Sequence, residues 1–151
     1  MKILLYIALL LCVCFLPVEG TDVGKLIPVE VIAISESEGM VTVRTDTGDR
    51  GTGDDLSTAF ADLKDAASGV IYLDTAEYLL LEQGMEDWVD IAETYLKGNT
   101  KVCTAQEGIP LDAIAKYLSV HQPGVRLNEV LEVTEMPHIT EKEGRYWILY
   151  H

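Results

Sequence analysis

Apolar residues run without interruption from Ile3 to Leu16, and nowhere else does the chain sustain such a stretch. Beyond Val29 the apolar positions fall into short runs with two alternating periods. Val29-Glu30-Val31-Ile32-Ala33-Ile34 is rich in β-branched residues and predicts a strand. Ser35 to Gly39 is a polar turn. In Met40 to Thr45, Val41 and Val43 alternate with Thr42 and Arg44, which predicts a second strand with one buried face and a hairpin with the first. Asp46 to Asp55, with Gly48, Gly51 and Gly53 among its aspartates, reads as a flexible acidic loop. The period then lengthens. Leu56, Ala59, Phe60, Leu63 and Ala67 form one helical stripe, predicting a helix over 54–67 with Asp54 and Asp55 at its positive end and Gly69 as its stop.

Val70 to Leu73 is short and β-prone. Glu77 to Leu81 suits a buried strand or a helical turn, and the nearby Gly84 favours the strand. Met85, Trp88, Val89, Ala92 and Leu96 share a helical face, so a second helix is expected over 85–97, ended by Lys97-Gly98. Lys101 to Gln106 reads as a strand. Pro110 suits the first turn of a third helix whose inner face is Leu111, Ile114, Ala115 and Leu118, stopped by Pro123-Gly124. Val125 to Val133 is open between strand and loop, Met136 to Gly144 reads as a polar excursion, and Tyr146 to Tyr150 as a terminal strand on a sheet edge. The order ββαββαβα plus a C-terminal strand predicts an α+β fold: a mixed β-sheet with helices packed mainly on one face.

The leading segment is an address rather than structure. Lys2, the apolar run to Leu16, Pro17, and Val18 and Gly20 at the third and first positions before a cut give the pattern of a secretory signal peptide over 1–20. The remaining 21–151 is expected to be a single globular α+β domain, extracytoplasmic: secreted, or held at the outer face of the membrane. An uncleaved anchor is the alternative, with a run short for spanning. Cleavage removes Cys12 and Cys14, leaving Cys103 alone, so no internal disulfide is expected and Cys103 reads as a buried structural thiol.

Hydrophobic residues make up 48% and charged residues 24%, which excludes a disordered chain. Eleven Lys and Arg against 25 Asp and Glu give a formal net charge of −14. A chain so acidic has little with which to neutralise a row of phosphates or anionic lipid headgroups, and charge favours a basic protein partner instead.

Candidate chemistry is sparse. Asp46-Thr47-Gly48 matches the tripeptide of retroviral-type aspartic proteases, whose chemistry needs two such aspartates sharing a proton across a dimer, but the tripeptide is also common in turns. The carboxylates of Asp46 to Asp55 invite a calcium reading, yet counting from Asp46 places Gly48 and Ser57 where an EF-hand needs oxygen ligands. His121, His138 and His151 are scattered. No catalytic, cofactor-binding or metal-ligating residue is therefore assigned from the sequence, and no cofactor is expected. The acidic stretch Glu86 to Glu93 reads as the wet face of a helix, or as a contact for a basic partner.

The succession of a strand pair, Leu56-Ser57-Thr58-Ala59-Phe60-Ala61-Asp62-Leu63, Val70-Ile71-Tyr72-Leu73, Ala76 to Leu81, a helix carrying Trp88, Val89 and Leu96, Lys101 to Gln106 and a short helix around Ile114 resembles the N-terminal domain of the Ger(x)C family, the C subunits of bacterial spore germinant receptors. The likeness spans 29–118 and rests on element order and apolar spacing. Members of that family are longer lipoproteins, whereas Cys12 and Cys14 here follow Leu11 and Val13 instead of a small residue. The resemblance therefore implies a stand-alone exported copy, non-enzymatic, with a membrane receptor subunit as partner. The expected function is an exported interaction domain associated with spore germination or a membrane receptor complex. The alternatives are a secreted acidic binding or inhibitor protein with a basic partner and, as a minor one, an Asp46-dependent protease.

Overall fold

A computed structural model of the chain describes residues 23–82, 84–106, 108–132 and 135–150. The signal peptide expected over 1–20, with Cys12 and Cys14, lies outside the described residues, as does His151. The strands are β1 (Leu26–Pro28), β2 (Val31–Ser37), β3 (Met40–Thr45), β4 (Arg50–Gly53), β5 (Val70–Tyr72), β6 (Tyr78–Glu82), β7 (Lys101–Ala105), β8 (Pro137–Lys142) and β9 (Arg145–Tyr150). The helices are α1 (Leu56–Ala66), α2 (Val89–Ala92) and α3 (Leu111–Leu118). Seven strands form one mixed sheet in the order β4-β3-β2-β6-β7-β8-β9, and β1 and β5 pair apart from it as a parallel ribbon. The four central strands β2, β6, β7 and β8 run parallel, and an antiparallel strand or hairpin extends each side.

Strand alternation divides the interior into two cores. Ile32, Ile34, Leu79, Leu81 and Val102 point to one face, where α1 and α2 pack; Val31, Ala33, Tyr78, Leu80, Cys103 and Ala105 point to the other, covered by α3. Two of the three α-helices among the described residues thus share a face, and the α+β class with a mixed sheet holds. Central strands apolar on both sides are what a sheet covered on both faces requires.

Several elements correct the sequence reading. The acidic loop 46–55 contains β4, with Gly51 and Gly53 there because α1 lies against them. A Cβ on Gly51 would stand 2.2 Å from the Ala59 carbonyl oxygen and 2.3 Å from the Leu63 nitrogen. Asp55 is the N-cap of α1, accepting from the Thr58 amide at 2.7 Å. Gly69 is not a helix stop: α1 ends at Ala67 in extended conformation, and Gly69 instead lets the backbone approach Lys25, whose carbonyl oxygen would lie 2.5 Å from an added Cβ.

The helix expected over 85–97 shrinks to a 3-10 turn (Glu86–Trp88) and the four residues of α2. Its apolar face is nevertheless buried at Met85, Val89, Ala92 and Leu96. The Thr94 hydroxyl donates to the Ile91 carbonyl at 2.7 Å, and the amides of Thr94 and Tyr95 donate three residues back, to the carbonyls of Ile91 and Ala92, tightening the chain out of α geometry. Tyr95 then stacks on Phe60, ring centroids 4.4 Å apart. Pro110 is the N-cap of α3 rather than its first helical residue. Within 125–133, Leu127–Glu132 is a 3-10 helix. The supposed polar excursion is β8, which joins β9 in a hairpin. Glu77 to Leu81 resolves toward the strand, as β6.

Candidate functional site

The residues singled out for chemistry are dispersed by the fold. Asp46 sits beside the entry to β2, where its Oδ1 accepts from the amides of Glu30 and Val31, each at 3.1 Å. Thr47 donates to Asp49 at 2.7 Å and Gly48 takes a φ of 91°, so Asp46-Thr47-Gly48 works as a turn that starts a strand. Asp46 and Glu77 stand near Glu30, and burial first, then these two negative neighbours, raise the Glu30 carboxyl above its ordinary value. Asp49 and Asp55 are engaged by Thr47 and Thr58. Among the described residues no group of three or more His, Cys, Asp or Glu side chains could hold a metal ion.

Cys103 is fully buried on the α3 face, and burial pushes its thiol up, far from a thiolate. Its Sγ has the Leu79 carbonyl at 3.9 Å. His138 pairs with Thr104 at 2.9 Å across the other face, and His121 stacks on Tyr117. Neither imidazole is placed to activate Cys103.

What the fold does assemble is a surface, and the two ends of the sheet show it by contrast. At one end, β4 is closed. The Thr52 amide, unpaired by β3, donates to Asp62 of α1 at 2.8 Å, and the helix presses on the strand glycines. At the other end, among the described residues, β9 pairs only with β8. Its one face is anchored: Ile148 and Tyr146 pack onto the α3 core, Tyr146 against Tyr117 at 5.7 Å between centroids. Burial, with Glu141 and Asp112 adding, raises the Tyr146 hydroxyl above the usual phenol value. Its other face is bare, with Trp147 51% and Leu149 40% exposed, and Tyr150 is 57% exposed at the strand's end. Trp147 and Leu149 line a shallow groove with Thr140, Lys142 and Arg145, while Tyr150 faces the opposite way.

The backbone geometry of this edge follows from its turn. Glu143 and Gly144 have φ of 55° and 73°, the mirror-image turn that suits a two-residue hairpin, flanked by the pair Lys142 and Arg145. In such a hairpin the flanking pair exchanges both hydrogen bonds, and bonded pairs alternate along the strand. Arg145, Trp147 and Leu149 therefore bond to β8, while the N–H and C=O groups of Tyr146, Ile148 and Tyr150 point outward. The strand RYWILY has no Pro, no Gly and one charge at its first residue, so it lacks the usual guards of an exposed edge.

Sequence reasoning placed Tyr146 to Tyr150 on a sheet edge but did not find the hairpin that presents it. The available signal was a repeat of turn chemistry. Glu38-Gly39 closes the β2–β3 hairpin with φ of 55° and 77°, and Glu143-Gly144 does the same for β8 and β9. The acidic stretch expected to be a helix face is exposed at Asp87, Asp90 and Glu93, beside Ile91, which is 44% exposed. Among the described residues no helix is long and apolar enough to cross a membrane. No protein-family model, curated protein or solved structure matches this chain.

Proposed function

We propose that this chain is an exported, non-enzymatic interaction domain that engages a protein partner by strand addition to β9. The observation that carries the reading is the asymmetry of the sheet: β4 is sealed by α1 and Asp62, while β9 offers outward backbone groups beside a bare Trp147 and Leu149. Strand addition draws affinity from main-chain hydrogen bonds and selectivity from alternate side chains, both of which β9 supplies. Export rests on the signal pattern of Met1 to Gly20. Association with spore germination or a membrane receptor subunit rests on the resemblance over 29–118.

The test is a pull-down of the tagged chain from detergent-solubilised membranes of sporulating and vegetative cells, run beside Trp147→Lys, with hydrogen exchange on the recovered complex. Slowed exchange at Tyr146, Ile148 and Tyr150, and loss of capture in the variant, are expected. Capture that ignores Trp147→Lys and leaves those amides unprotected would refute the reading. Recovery of germinant-receptor subunits from sporulating cells alone would support the germination association.

A second reading is favoured by the exposed acidic face at Asp87, Asp90 and Glu93 around Ile91, which suits a basic protein. Binding there would weaken steeply with added salt and would be indifferent to Trp147→Lys.

A further inference from the structure

The partner that β9 fits best is itself. We infer that two copies of this chain pair antiparallel through β9, joining their sheets edge to edge; the inference rests on the reading of β9 as a docking edge and names its occupant.

Register comes first. A two-fold axis normal to the sheet keeps each face continuous between the copies, so only residues whose backbone groups point outward can exchange hydrogen bonds. These are Tyr146, Ile148 and Tyr150, as the turn geometry shows. Centring the axis on Ile148 uses all three: Ile148 meets the partner's Ile148, and Tyr146 meets the partner's Tyr150, twice. The same register sets Trp147 opposite the partner's Leu149 on the bare face, again twice. Aromatic and aliphatic cross-strand neighbours of this kind are the favourable pairs of antiparallel sheets.

Charge points the same way. The chain carries 25 acidic against 11 basic residues, so most surfaces of two copies repel. Along the β8–β9 hairpin, however, Glu141 and Glu143 are matched by Lys142 and Arg145, and β9 beyond Arg145 has no charge at all. This stretch of edge is neutral on an acidic molecule, and a second copy meets it without repulsion. A strongly basic partner finds no excess of carboxylates there.

A six-residue edge is small beside the about 800 Å² per partner of a standard stable interface, so the dimer is reversible. Sedimentation equilibrium of the purified chain over a wide concentration range should show a monomer–dimer equilibrium. Trp147→Lys places a charge opposite an apolar partner residue and, at a half-exposed site, leaves the fold intact by circular dichroism. It should weaken dimerisation at least tenfold. Hydrogen exchange should slow at Tyr146, Ile148 and Tyr150 as concentration rises. A chain that stays monomeric throughout overturns self-pairing, and so does association that Trp147→Lys does not change. In either case, protection of the β9 amides by a captured membrane protein would leave strand addition standing, whereas an edge unprotected under every condition removes both.

Discussion

Gly51 carries a sharp prediction because its neighbours are backbone. In Gly51→Ala the new Cβ meets the Ala59 carbonyl oxygen at 2.2 Å, the Leu63 nitrogen at 2.3 Å and the Leu63 Cα at 2.7 Å, none of which can rotate away. Ordinary contact begins near 3.4 Å, so α1 must retreat from β4 by about 1.2 Å. A gap of that order forfeits roughly a quarter to a half of each dispersion well. The face that retreats is Leu56, Ala59, Phe60 and Leu63, all fully buried. With each large side chain worth about 1.5–3 kcal/mol on burial, their sum is about 7 kcal/mol. The expected loss is therefore about 2–4 kcal/mol, within and slightly above the usual range for overpacking. Urea unfolding followed by far-ultraviolet circular dichroism measures it, with Gly124→Ala as control. There an added Cβ meets only the Tyr150 hydroxyl oxygen at 3.9 Å, and stability should hold or rise slightly. A Gly51→Ala variant within about 0.5 kcal/mol of the parent would refute the contact between α1 and β4, and with it the sealing of that sheet edge.

Three further outcomes are expected. Tyr78→Phe should leave stability unchanged or raise it by up to about 1 kcal/mol, because the buried Tyr78 hydroxyl has no partner among the described residues while Lys101 sits over the ring, 5.7 Å from its centroid, in either variant; thermal melts showing a clear loss would mean that the hydroxyl is satisfied. Asp46→Ala should cost about 1–3 kcal/mol by stranding the amides of Glu30 and Val31, while Asp46→Asn, which keeps an acceptor oxygen, should cost far less in the same melts; equal losses would contradict the hydrogen-bonding role. The Thr58 hydroxyl and amide hold the Asp55 carboxyl below its ordinary value of 3.8, so its stabilisation is present above that pH and fades as pH falls through the lowered value. Asp55→Asn should flatten the stability profile in that acidic window, and a profile of unchanged slope would count against it.

What the sequence disclosed tracks how strongly one face is buried. The stripe of α1 and the alternation of β3 each have a fully buried side against a wet one, and both were legible to within a residue or two. The stretch 85–97 shows the limit: its buried positions were readable, but the Thr94 hydroxyl bond that ends the helix is a local competition no periodicity reports. β8 was hidden because it buries little: Pro137 and Ile139 are buried while His138, Thr140, Glu141 and Lys142 are not, which reads as a loop. β1 and β5, three residues each, are too short to carry a period. The candidate surface was half visible, since the aromatic run was plain but its exposure depended on which strand flanks it.

The two-sided burial of β6 bears on how the chain finds its native pairing. A strand with one wet face punishes a slip of one residue by turning its apolar set outward. Tyr78, Leu79, Leu80 and Leu81 are all buried, so such a slip would exchange one hydrophobic set for another. Alignment must instead come from size and from the strand's entry. Tyr78 packs on the α3 side, the Lys101 amide donates to the Glu77 carbonyl at 2.8 Å, and the Thr100 hydroxyl donates to the Ala76 carbonyl at 3.0 Å. Those few bonds at the head of β6 are the frame marks of the sheet. A chain lacking Thr100 would be expected to populate shifted pairings during refolding before any native contact was lost.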